Sequence, residues 1–192
     1  DIILVGDSMA NVLYGHKTTR KLRLDNIIQH TESVKLGVKK SLLIVDMPKN
    51  TYKNKSLALK NAKKIIHKTR CDGVKLESNF KNHEIIRHLV KAGITVMGHI
   101  GYTPQFKNRF KVSGNTVKER KKLLKEAKNI ENAGAFSIVL ECITASLSKE
   151  ITNQLKITTI GIGSSAYCDG QILVTDDLLG LSGFYPKFIK KY

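Results

Sequence analysis

Four short apolar runs in this chain each end in a carboxylate. Ile2-Ile3-Leu4-Val5 leads into Gly6-Asp7-Ser8, Leu42-Leu43-Ile44-Val45 into Asp46, Val74-Lys75-Leu76 into Glu77, and Ile138-Val139-Leu140 into Glu141. The chain carries only 16 Asp and Glu in 192 residues, so this placement needs a reason. If the runs are parallel strands, the acids project from one end of a sheet, where α/β enzymes bind metals and substrates. Asp7, Asp46 and Glu77 follow three consecutive runs. Three repelling carboxylates in one place are costly unless a cation joins them. An oxygen-only donor set suits Mg²⁺, which keeps waters and takes oxygen atoms from substrate. The competing reading is that each acid caps the helix or turn behind it. Spacing alone leaves both open.

Other groups carry the same double meaning. Lys75 lies two residues before Glu77 and faces the same side of its strand. It either holds a substrate carboxylate beside the metal or pairs with Glu77 inside the sheet. Ser8 is a donor to bound substrate or a turn residue. Glu141 ends a later run, away from the first three acids. It is a base placed to abstract a proton next to a metal-polarised carbonyl, or one half of a rim ion pair. His99, after Thr95-Val96-Met97-Gly98, is a substrate contact or a satisfied rim histidine. Gly161-Ile162-Gly163-Ser164-Ser165 is a backbone anion nest or a tight turn.

Positioning these groups requires alternating elements. Apolar runs at 2–5, 42–45, 73–76, 94–98, 137–140, 157–160 and 171–174 read as strands. Between them, Leu24, Ile27, Ile28, Thr31 and Val34 mark a helix closed by Gly37, and a second starts near Ser56. Ile85, Ile86, Leu89 and Val90 mark a third, stopped by Gly93. Thr116-Val117-Lys118-Glu119 opens a fourth with a capping-box pattern, and a shorter helix falls near 146–154. Near-continuous apolar strands in a βαβα series imply a buried parallel sheet. Seven strands suit a doubly wound sheet or most of a (β/α)8 barrel. Chemistry spread over many strand ends favours the barrel, with residues 1–192 as one domain.

Composition narrows the function. The net charge is +17, but only six of the 33 basic residues are Arg. The lysines are scattered without interleaved aromatics, as on a solvated surface and not a nucleic-acid interface. Cys71, Cys142 and Cys168 have no disulfide or zinc spacing, which fits a reducing, cytoplasmic setting. Cys142, beside Glu141, is a nucleophile or a small buried residue, and the buried reading is favoured. No run reaches the roughly 18–20 apolar residues of a membrane span.

The motifs together resemble the ketopantoate hydroxymethyltransferase family. They are Leu4-Val5-Gly6-Asp7-Ser8, Tyr14-Gly15-His16, Val45-Asp46-Met47-Pro48, Val74-Lys75-Leu76-Glu77 and Gly98-His99-Ile100-Gly101-Tyr102-Thr103-Pro104-Gln105. Val139-Leu140-Glu141-Cys142, Ile160-Gly161-Ile162-Gly163 and Asp169-Gly170-Gln171-Ile172-Leu173-Val174 complete the set. The resemblance implies a (β/α)8 barrel, Mg²⁺, and a homo-oligomer. It also implies transfer of a hydroxymethyl group from 5,10-methylenetetrahydrofolate to 3-methyl-2-oxobutanoate. It assigns Asp7, Asp46 and Glu77 to the metal, Asp7, Ser8, Asp46 and Lys75 to the oxoacid, and Glu141 to proton abstraction.

Departures from the family pattern fall in loops: Lys49-Asn50-Thr51 after Pro48, Ser78-Asn79 after Glu77, and Lys17 after His16. The family's first strand and helix lie before the point where this sequence starts, so the barrel is expected to be incomplete at its N-terminal side. The rival readings are another Mg²⁺-dependent barrel acting on a 2-oxoacid, such as a phosphoenolpyruvate mutase-like lyase, and an inactive fragment.

Overall fold

In the computed structural model, which describes residues 1–183 and 188–189, seven strands form one sheet. They are β1 (Ile2–Val5), β2 (Leu42–Asp46), β3 (Gly73–Glu77), β4 (Val96–Gly101), β5 (Ser137–Glu141), β6 (Thr158–Ile162) and β7 (Gly170–Gln171). All neighbours are parallel, and spatial order equals chain order. A doubly wound sheet reverses direction at a switch point, whereas a barrel winds one way. The order therefore selects the barrel winding. The sheet also curls: one cavity is bounded by Leu4 and Val5 of β1 and by Ile172 and Leu173 just beyond β7.

The helices are α1 (Met9–Val12), α2 (Leu24–Gly37), α3 (Lys55–Thr69), α4 (His83–Lys91), α5 (Val117–Asn132), α6 (Ala145–Gln154) and α7 (Thr175–Leu178). The capping box at α5 forms in full: Thr116 accepts from the Glu119 N–H, and Glu119 accepts from the Thr116 N–H. Asn54 caps α3 through the Leu57 N–H at 2.9 Å. None of the helices among the described residues is long and apolar enough to cross a membrane.

Strand alternation divides the core in two. Leu43 and Val45 of β2, Val74 and Leu76 of β3, and Ile138 and Leu140 of β5 face outward against the helices. Ile44, Met97, Val139 and Ile160 face inward and form a small apolar layer of their own. Next along the inward side come Asp46, Lys75, Glu77, His99 and Glu141, because side chains two apart share a face. Gly98 lets α5 rest on β4: a Cβ there would sit 2.5 Å from Ile130 Cγ2.

Two strands depart from the apolar pattern. The pattern predicts 94–98, but β4 spans Val96–Gly101 and carries His99 inside it. Pairing with both β3 and β5 extends the strand through residues whose polarity hides it. The run 171–174 yields only Gly170–Gln171 in β7, paired to β6 on one side.

Candidate functional site

The C-terminal strand ends open onto a cavity of about 380 Å³. Asp7, Ser8, Asp46, Lys75, Glu77, His99 and Glu141 all line it, so these seven sequence-predicted residues reach one place. The register explains this. Asp46 stands opposite Lys75, Glu77 opposite His99, and Gly101 opposite Glu141 on adjacent strands.

None of the four acids caps the helix behind it. The N-caps of α1, α3, α4 and α6 are Ser8, Asn54, Asn82 and Thr144. The carboxylates turn into the cavity instead. Asp46 Oδ2 accepts the Asp7 backbone N–H at 2.9 Å, and Asp46 Oδ1 lies 2.7 Å from Lys75 Nζ. The sequence offers Glu77 as the ion-pair partner of Lys75. The structure gives it Asp46, the residue directly across the β2–β3 ladder.

Lys75 Nζ also lies 3.3 Å from His99 Nδ1. An ammonium only donates, so Nδ1 accepts. Burial holds the imidazole well below its ordinary pKa, which keeps it neutral. Its proton therefore sits on Nε2. That atom is 3.1 Å from Glu141 Oε2 but out of line for a hydrogen bond, and has no other partner among the described residues.

Crowding and burial shift the acids together. Burial, reinforced by Asp46, raises Asp7 to about 7. Burial and then Asp7 push Glu77 well above the usual carboxylate range. Burial raises Glu141 to about 8. Burial opposes the Lys75 charge, but Asp46, Glu77 and Asp7 outweigh it and hold the ammonium above its ordinary pKa.

One lysine does not balance these acids, and a divalent cation would offset the burial and the repulsion that raise them. The oxygen-only donor set suits Mg²⁺. Among the described residues, no group of three or more His, Cys, Asp or Glu is disposed to hold an ion. Protein carboxylates would therefore supply part of the coordination, with water or substrate oxygens supplying the rest.

Sequence reasoning gave no role to Gln105, which is buried behind the cavity wall. Its backbone N–H donates to Glu77 Oε2 at 2.9 Å, and its side-chain Nε2 donates to Asp7 Oδ2 at 2.9 Å. It lies in a loop with no periodic pattern, and only its place after Thr103-Pro104 in the family motif marked it.

Two other candidates lose their chemical reading. Burial pushes the Cys142 thiol up to about 12, so it is no nucleophile near neutral pH. In the glycine-rich segment after β6, Ser164 Oγ donates to the Ile143 carbonyl at 3.1 Å. Of residues 161–165, only Ile162 lines the cavity, so the segment makes a packed turn there and not an anion nest.

A family model described as ketopantoate hydroxymethyltransferase matches residues 1–192. The chain is 55% identical to 3-methyl-2-oxobutanoate hydroxymethyltransferase of Pelagibacter ubique, covering 100% of this chain and 75% of that one. The enzyme of the same name from Anaplasma marginale (strain St. Maries) is 47% identical, with 100% and 70% covered. Among solved structures, 2,3-dimethylmalate lyase, a PEP mutase/isocitrate lyase superfamily member, superposes with a TM-score of 0.63 at 13% identity. That match covers 84% of this chain and 59% of the lyase. A putative phosphonomutase from Burkholderia cenocepacia gives 0.62 at 11%, covering 83% and 68%. At such identities the likeness is one of fold.

Proposed function

The chain belongs to the ketopantoate hydroxymethyltransferase family, and from that premise we propose that it transfers a hydroxymethyl group from 5,10-methylenetetrahydrofolate to 3-methyl-2-oxobutanoate, giving ketopantoate. The observation that carries this reading is the gathering of Asp7, Ser8, Asp46, Lys75, Glu77, His99 and Glu141 around one cavity.

Asp7, Asp46 and Glu77 are the carboxylates that would serve Mg²⁺, directly or through water, with oxoacid and water oxygens completing its shell. Bound there, the ion would polarise the keto group and make the C3 proton more acidic. The ammonium of Lys75, fixed by Asp46, supplies a permanent positive charge for the oxoacid carboxylate, and Ser8 Oγ supplies a hydroxyl donor beside it. Glu141 in its ionised form takes the proton from C3. His99 Nε2–H lies near Glu141 but out of line with it, which would leave it for the bound substrate, and as a neutral ring it does not compete for that proton. The C3 carbon then bonds to the one-carbon unit of the folate, whose two bonds to folate nitrogens break; water supplies the hydroxyl oxygen and tetrahydrofolate leaves. The apolar layer of Ile44, Met97, Val139 and Ile160 forms a dry floor beneath the charged groups.

The lyase reading shares this fold, but at 13% identity against 55% for the transferase. A single barrel domain over residues 1–192, a homo-oligomeric assembly and a cytoplasmic setting belong to the same proposal. Light scattering after gel filtration measures the assembly. The deciding experiment combines purified protein, Mg²⁺, the oxoacid and 5,10-methylenetetrahydrofolate and follows ketopantoate by mass spectrometry. Product that disappears with EDTA is expected. No product at saturating substrates refutes the reading.

A further inference from the structure

We propose that Gln105 is a positioning residue that sets the Asp7 carboxylate in place for cation binding. The inference rests on the function proposed above, in which Asp7 belongs to the metal site. Gln105 is 1% exposed and does not line the cavity. Its effect on chemistry must therefore pass through the groups it touches.

The amide is fixed in one orientation. Nε2 lies 2.9 Å from Asp7 Oδ2 and 3.0 Å from the Met47 carbonyl. A carbonyl only accepts, so the NH₂ must face that side. Oε1 then faces the Tyr52 hydroxyl, which donates to it at 2.5 Å. Tyr52 is itself buried at 4% exposure and does not line the cavity. Both amide hydrogens and the amide oxygen are thus spoken for, and a flipped amide would set oxygen against oxygen at Asp7 and at Met47.

The same residue binds a second acid through its backbone, at Glu77 Oε2. Asp7 follows β1 and Glu77 ends β3. One loop residue therefore ties two strand-end carboxylates to a common frame. With one oxygen of Asp7 committed to Gln105, the direction of the other is determined. That is what a cation demanding near-ideal octahedral geometry requires of a ligand.

Mn²⁺ binding, followed by the electron paramagnetic resonance of the free ion on the full-length protein without substrate, tests this. Replacing a charge-assisted hydrogen bond by an apolar group of similar size should matter at the level of its net strength. Gln105→Leu is expected to weaken Mn²⁺ binding about tenfold. Tyr52→Phe, which removes only the hydroxyl that holds the amide, is expected to weaken it about threefold. Tyr52→Phe should add nothing in the Gln105→Leu background, because its path to Asp7 is gone. The activity lost in Gln105→Leu should return at high Mg²⁺, which a merely structural role would not allow.

Unchanged Mn²⁺ affinity in folded Gln105→Leu overturns the proposal. If that variant does not fold, unchanged affinity in Tyr52→Phe overturns it. A parent protein that makes no ketopantoate, while its variants still differ in Mn²⁺ affinity, refutes the function and leaves Gln105 standing.

Discussion

At the scale of single residues, the chemistry proposed above would turn on Glu141 being able to lose and regain a proton. Burial raises its carboxyl to about 8. Below that pH it is protonated and cannot act as a base. The expected rate constant kcat/KM for exchange of the oxoacid C3 proton therefore rises with pH through about 8 and levels above it. Deuterium uptake followed by proton NMR in D₂O buffers would measure this. A flat profile from mildly acidic to mildly alkaline pH would remove Glu141 from the base role. Glu141→Gln should lose the exchange while oxoacid binding by calorimetry persists. The acids were legible in the sequence because each ends an apolar run. The partner of Lys75 was not, because Asp46 is 29 positions away in the chain and meets it only through inter-strand register. Gln105 was not for the same reason: five hydrogen bonds converge on it, and none involves a sequence neighbour.

At the scale of elements, the site depends on how closely α5 can approach β4, since β4 carries His99. Gly98 permits that approach. Gly98→Ala would place a methyl 2.5 Å from Ile130 Cγ2, an overpacking expected to cost about 1–3 kcal/mol. Urea unfolding of Gly98→Ala, Ile130→Ala and the double variant tests the contact. The double should be less destabilised than the sum of the singles, because the second change removes the atoms struck by the first. Strict additivity would show that the methyl meets something else. The helices were readable because their signals are local: the capping box at Thr116 and Glu119 and the apolar face Ile85, Ile86, Leu89 both lie within a few residues. Strand β4 was placed two residues too early at its start and three too early at its end. Gly98 and His99 break the apolar pattern, and the ladder that holds them comes from both neighbouring strands.

At the scale of the whole molecule, the buried acids set how stability answers to pH. Asp7 at about 7 and Glu141 at about 8 bind more protons folded than unfolded, where carboxyls titrate near pH 4. Stability carried by their protonated forms is therefore lost as pH rises toward those values. His99, held neutral by burial, works the other way, but only below an unfolded pKa of about 6.5. From about pH 6.5 to 8 the melting temperature in EDTA should fall. Mg²⁺ should raise the melting temperature more at pH 8 than at pH 6.5, because it stabilises the ionised acids. Thermal melts in the two buffers would show this, and an EDTA curve that rises with pH would contradict it. The winding of the sheet was legible from the spread of carboxylates over successive strand ends. Its curl came with the barrel expectation, although no local pattern in β1 or β7 reports that both ends border one cavity. The alternation of faces also bears on descent. Residues that hold the helices point outward, and residues that would meet a substrate point inward from the same strands. Selection can rewrite the inner row while the outer row keeps the frame, so a lineage can exchange one reaction for another without passing through an unfolded ancestor.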